Sequence, residues 1–232
     1  MLMQNTIRLE ASALGLEALV LGPLTQAKSL LVMLHGYGAD AQDLMHLAHM
    51  LLAGREQQVA AVSLQAPERL PPPHPGRQWF ALPDLRPQTL DTGVAKARPL
   101  VSEALKRLWS MSGVRAEQTL LLGFSQGGMI ALEAGLRMPQ PLGQLVCLSG
   151  LLAGCERLAK EKAGQTPPVL MVHGEADGVV PFAAMQSSAQ VLTALGISVE
   201  AHGRPGLGHS IDAFAVEQIG VQLDRLSAGM LD

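Results

Sequence analysis

The chain predicts an α/β fold with a mainly parallel central sheet and helices on both faces. Short apolar runs alternate with longer amphipathic segments along nearly the whole length, the order that builds a parallel sheet through crossover helices. The central runs are continuous Leu, Val, Met and Ala without polar alternation, as strands buried on both faces read. A hydrophobic content of 48% in 232 residues supplies the core of one large domain, and residues 1–232 are read as that single domain.

The elements follow in order. Leu16–Leu21 and Ser29–Leu34 read as strands, and Ala41–Ala53 as the first helix. Val59–Leu64 is the next strand. From Gln65 to Gln88 the chain reads QAPERLPPPHPGRQWFALPDLRPQ, too rich in proline for a helix or a central strand. That run holds Trp79 and Phe80, two of the seven aromatics (two Trp, one Tyr, four Phe). A loop that covers a site explains them, and a loop whose rings merely pin it to the body explains them too. Thr89–Met111 is helical, Thr119–Phe124 a strand, Gln126–Met138 a helix, Gln144–Ser149 and Val169–His173 strands, and Phe182–Leu195 a helix. Ser198–His202 reads as a strand near the sheet edge. In Ile211–Ala228, the residues Ile211, Phe214, Ala215, Ile219, Leu223 and Leu226 recur at helical spacing.

Charge and composition exclude several classes. A formal net charge of -3 offers no field for nucleic acid. Cys147 and Cys155 are too few for a disulfide framework or a four-ligand zinc site and read as free thiols. The opening stretch, Met1 to Glu10, lacks the basic patch and apolar run of a secretory signal. No apolar run approaches the ~20 residues of a membrane span. A cytoplasmic, soluble protein is expected.

The chemistry concentrates at Gly123-Phe124-Ser125-Gln126-Gly127, a G-x-S-x-G pattern directly between a strand and a helix. Such a sharp turn lifts the serine hydroxyl clear of the sheet, and the glycines are there because side chains would strike neighbouring backbone. Serine needs a base held by an acid, and behind this turn the chain order is serine, acid, histidine. Asp177, in the loop after Val169–His173, and His209, in the loop after Ser198–His202, fit that order. Both follow strand ends, where open α/β sheets gather their sites. Glu175 is the alternative acid, whereas Asp212 and Asp224 break the order. His35 and His173 read as hydrogen-bonded structural groups. His46 and His49 lie i, i+3 on a helix with no third ligand, so no metal and no cofactor is called for. The oxyanion of acyl transfer needs donors. The backbone N–H of Gln126 is one, and the loop His35-Gly36-Tyr37-Gly38-Ala39-Asp40 offers that of Tyr37 as the other. Neither G-x-G-x-x-G nor a P-loop lysine is present for the nucleotide-binding alternative.

The segments LHGYGADAQDL, GFSQGGM, LSG, VHGEADGVVP and GLGHS together resemble the phospholipase/carboxylesterase family of α/β-hydrolases, which includes the acyl-protein thioesterases. The resemblance runs from the strand before His35 to the last helix. It implies the α/β-hydrolase fold, with Ser125 as nucleophile, Asp177 as acid, His209 as base, and Tyr37 with Gln126 as oxyanion donors. It implies that Trp79-Phe80 lies near the acyl pocket, and that a homodimer can form through the face carrying that pocket. Two positions depart from the pattern. Gly178 stands where relatives often have proline after the acid, and Leu151 where many have an aromatic residue beside the pocket. Leu151 and Val179 are further pocket candidates. The implied activity is hydrolysis of short- to medium-chain carboxylic esters, thioesters among them, on a small apolar substrate. A catalytically silent protein of the same fold that binds an apolar ligand is the competing reading. A dienelactone-type hydrolase would carry cysteine in place of Ser125.

Overall fold

The computed structural model describes residues 6–161 and 165–229; the first five residues of the opening stretch read above lie outside them. Eight strands form one sheet in the order β1-β2-β4-β3-β7-β8-β9-β10. These are β1 (Ile7–Leu9), β2 (Ala18–Leu21), β3 (Ser29–Leu34), β4 (Val59–Leu64), β7 (Thr119–Phe124), β8 (Gln144–Leu148), β9 (Val169–Gly174) and β10 (Val199–Arg204). β2 pairs antiparallel with both β1 and β4, and the pairs from β4 to β10 are parallel. The parallel strands therefore end on one edge, and their following loops meet there.

The uninterrupted apolar runs are explained by helices on both faces. On β3, Leu30, Val32 and Leu34 join one core, while Leu31 and Met33 join the other, the period-two alternation of a strand with both faces covered. The first core takes in α1 (Ala11–Leu14), α3 (Pro87–Ser112), α4 (Gln126–Gly135), α5 (Cys155–Lys160) and α6 (Phe182–Ala194). The second is closed by α2 (Met45–Leu52) and α7 (Ala213–Ser227). Among the described residues, no helix is long and apolar enough to cross a membrane. Cys147 and Cys155 are both free, and burial pushes the Cys147 thiol up to about 12, which removes thiolate reactivity there.

Some boundaries differ from the sequence reading. Residues 41–44 form turns, so α2 starts at Met45 rather than Ala41; Asp40 Oδ1 accepts from the Gln42 amide at 2.9 Å and holds a local turn there. α4 stops at Gly135 instead of Met138, ahead of Pro139. β10 runs on to Arg204, two residues beyond His202. Several short elements escape the periodicity: β1, α1, a 3-10 turn at Ala116–Gln118, α5 and the hairpin of β5 (Glu68–Arg69) with β6 (Arg77–Gln78). The hairpin makes the proline-rich segment an ordered excursion, separate from the main sheet.

Candidate active site

Ser125 occupies the turn between β7 and α4 with φ 55° and ψ −119°, a backbone conformation that L-residues adopt only at a cost. The turn is closed by contact. A Cβ on Gly123 would sit 2.1 Å from the Gly127 carbonyl oxygen, and one on Gly127 would sit 2.1 Å from that of Leu34. Only glycine lets three backbone segments converge so closely. The Ser125 amide donates to the Leu148 carbonyl at 2.8 Å, fastening the strained residue to β8.

His209 lies in the loop between β10 and α7. Its Nε2 is 2.9 Å from Ser125 Oγ, and its Nδ1 is 2.7 Å from Asp177 Oδ2. The carboxylate is an acceptor only, so Nδ1 carries the proton and Nε2 is left to accept from the serine hydroxyl. The other oxygen, Asp177 Oδ1, accepts from the amides of Val179 at 2.8 Å and Val180 at 2.9 Å. Desolvation, the largest single influence, pushes the Asp177 carboxyl up. The hydrogen bonds from His209, Val179 and Val180 and the His209 charge outweigh it together, and the group is held below its usual range.

Several contacts around this chain of three were not legible in the sequence. The Phe124 ring stands 4.9 Å from the His209 ring between centroids. The Ala176 amide donates to the Leu207 carbonyl at 2.9 Å, joining the Asp177 loop to the His209 loop. Asp212 caps α7 by accepting from the Ala215 amide at 3.0 Å and pairs with Arg204 at 2.7 Å. It clamps the two ends of the His209 loop instead of joining the chemistry.

The other candidates fall elsewhere. Glu175 is exposed, with its carboxylate near Gly203. Asp224 pairs with Arg55 at 2.6 Å on the far face. His35 is structural: its Nε2 accepts from the Ala66 amide at 3.1 Å, its Nδ1 is 2.8 Å from the Gly36 carbonyl, and burial holds its pKa down. His173 Nε2 lies 2.9 Å from the Val180 carbonyl oxygen, steadying the acid loop. His46 and His49 are exposed. Among the described residues, no three His, Cys, Asp or Glu side chains group to hold a metal.

The loop from His35 to Asp40 lies against the elbow. A Cβ on Gly36 would be 3.4 Å from Ser125 Cβ. Gln126 is the first residue of α4, where an amide has no acceptor within its helix. Its side chain has a role that the pattern did not indicate: Oε1 accepts from the Trp79 amide and Nε2 donates to the Phe80 carbonyl, both at 2.9 Å. Trp79 and Phe80 are each 1% exposed, inside the first core. The acyl-wall expectation for these rings is therefore corrected: they present almost no surface to a substrate, and they pin the proline-rich segment to the body. Leu151 is half-buried, whereas Val179, 56% exposed, and Tyr37 project at the surface.

Known proteins share this architecture. The phospholipase/carboxylesterase family model matches residues 17–226. A probable carboxylesterase of Oryza sativa subsp. japonica is 32% identical over 160 residues, 65% of this chain and 67% of that one. Acyl-protein thioesterase 1 of Gibberella zeae is 40% identical over 103 residues, which cover 43% of this chain and less than half, 44%, of the fungal protein. The crystal structure of esterase PE8 superposes with a TM-score of 0.82 at 34% identity, over 89% of this chain and 97% of that one.

Proposed function

Since the chain belongs to the phospholipase/carboxylesterase family, we propose that it is a serine hydrolase that cleaves short- to medium-chain carboxylic esters, thioesters included, through an acyl-enzyme. The observation that carries this reading is the unbroken chain from Ser125 Oγ through His209 to Asp177, at 2.9 and 2.7 Å. The reading takes residues 1–232 as one catalytic domain.

In the proposed reaction, Ser125 Oγ attacks the carbonyl carbon of the ester while His209 Nε2 takes its proton. The developing oxyanion is received by the Tyr37 and Gln126 amides. Collapse of the tetrahedral intermediate breaks the bond to the alcohol or thiol, and His209 returns the proton to that leaving group. Water, deprotonated by the same imidazole, then attacks the acyl carbon; the bond to Ser125 Oγ breaks, His209 returns the proton to Oγ, and the carboxylic acid leaves. Asp177 holds the tautomer and balances the imidazolium charge. Leu151, Val179 and Tyr37 are the apolar groups proposed to meet the acyl chain.

The test is hydrolysis of p-nitrophenyl butyrate together with labelling by a fluorophosphonate probe. Both are expected of the wild-type protein and absent from Ser125→Ala. A mutant that kept more than about a tenth of the wild-type rate would remove Ser125 from the nucleophile's role.

A further inference from the structure

We infer that the proline-rich segment is a splint for the oxyanion loop, and that Trp79 is a positioning residue for the Tyr37 amide. The inference rests on the reading of that amide as an oxyanion donor.

The contacts converge on a few residues. The Gly38 amide donates to the Arg77 carbonyl at 2.8 Å, and the Arg77 amide donates to the Ala39 carbonyl at 2.9 Å. Gly38 and Ala39 together oppose the single residue Arg77, the pattern of a β-bulge whose first residue is a glycine at positive φ (82°), and the two bonds tie the loop to the segment. One residue earlier, Gly76 packs so tightly that a Cβ there would lie 1.9 Å from the Gly38 carbonyl oxygen. On the other side of Tyr37, the Trp79 indole Nε1 donates to the His35 carbonyl at 2.9 Å. Tyr37 thus lies between two points held by the same short stretch, while its own side chain is exposed.

The stretch is itself anchored. Trp79 and Phe80 are bound through their backbone to the Gln126 side chain, and Gln126 also carries the second proposed donor. The Phe80 ring fills the space against Gly93 of α3, where a Cβ would come within 2.1 Å of it. The Arg77 guanidinium donates to the Ala66 carbonyl at 3.1 Å, closing the base of the hairpin. One set of hydrogen bonds therefore references both oxyanion donors to each other. A donor displaced by a fraction of an ångström from the developing charge loses much of its effect, because the stabilisation depends on groups already oriented before reaction.

The experiment uses the full chain and two substitutions, Trp79→Phe, which removes the indole N–H, and Gly76→Ala, which pushes on Gly38. Assayed well below the melting temperature, each is expected to lower kcat for p-nitrophenyl butyrate by about tenfold or more with KM within about twofold. The affinity for an alkyl trifluoromethyl ketone, whose adduct with Ser125 places an oxyanion in the hole, should weaken by a similar factor. A lower melting temperature with kcat and ketone affinity unchanged overturns the inference, as does a fall in kcat without weaker ketone binding. If neither variant folds, hydrogen exchange of the wild-type protein decides: Gly38 should be protected like the amides of β3, and fast exchange there overturns the splint. Failure of the underlying reading appears differently, as a wild-type protein that neither turns over ester nor takes the fluorophosphonate label while Gly38 stays protected. In that case the splint remains without an oxyanion to serve, and the inference falls with that reading.

Discussion

Asp177→Asn tests the proposed chemistry most directly, because the structure dictates how the amide must sit. The side chain is fully buried, and Oδ1 accepts from the Val179 and Val180 amides. In the variant the carboxamide oxygen is expected to stay there, since the Val179 and Val180 amides can only donate. The NH2 then takes the place of Oδ2, 2.7 Å from His209 Nδ1 and 3.2 Å from His173 Nε2. His209 Nδ1 has to become an acceptor, which an imidazole can do by changing tautomer. The ring proton moves to Nε2 and points at Ser125 Oγ, so the imidazole cannot take the serine proton. A wrong tautomer of this kind costs about 10⁴ in kcat, or about 5.5 kcal/mol at about 1.4 kcal/mol per decade. Side-chain volume is almost unchanged, and the stability loss is that of one charge-assisted hydrogen bond, about 1.5–3 kcal/mol. At this chain length that lowers the melting temperature by about 3–12 °C. The assay is kcat for p-nitrophenyl butyrate from pH 6 to 9, with calorimetry in parallel and Glu175→Gln as the control. Glu175 is exposed, and its variant should stay within about twofold of wild type. Asp177→Asn retaining a tenth of the rate, or Glu175→Gln losing most of it, would refute the assignment of the acid.

Ser125→Gly should be inactive yet more stable by about 1 kcal/mol, because glycine occupies φ 55° without penalty; a calorimetric melting temperature below wild type would contradict the strain at this turn. Phe80→Ala should cost about 3–5 kcal/mol, since its ring is buried against α3, and should leave the ratio of rates on butyrate and octanoate esters unchanged. Val179→Ala and Leu151→Ala should do the reverse, and a panel of esters graded by chain length separates the two behaviours. His35 has its pKa depressed mainly by burial, partly offset by the Gly36 carbonyl and by Asp40 and Asp43. Its contribution to stability is therefore present above the unfolded value near 6.5 and is lost as pH falls toward the folded value, at up to about 1.4 kcal/mol per pH unit. Melting temperatures between pH 7 and 5 should fall less steeply for His35→Gln than for wild type, and equal slopes would remove His35 from the acid sensitivity.

What could be read along the chain was whatever near neighbours decide. The strands Ser29–Leu34, Val59–Leu64 and Thr119–Phe124 are legible to the residue, because a strand buried on both faces reads as a nearly continuous apolar run, broken here only by the single polar residues Ser29, Ser63 and Thr119. The elbow at Ser125 is legible through its glycine pattern, although only Gly123 answers a local collision, with the Gly127 backbone, while Gly127 makes room for Leu34 of β3. Short elements such as β5 and β6, of two residues each, have no period to detect.

The sequence by itself determined the architecture, the turn that carries Ser125 and the order of the candidate acid and base. The tertiary structure decided which groups meet: His209 reaches Ser125 across 84 positions and Asp177 across 32, with Asp177 close to the ring and Glu175 turned toward Gly203. It also decided the part played by Trp79 and Phe80, whose apolar character suits an acyl wall and a core equally well. The choice came from a partner 47 positions away, the Gln126 side chain, which holds the Trp79 amide. Contacts of that range depend on strand order and on how loops pack over a sheet edge, and no local pattern of residues encodes them.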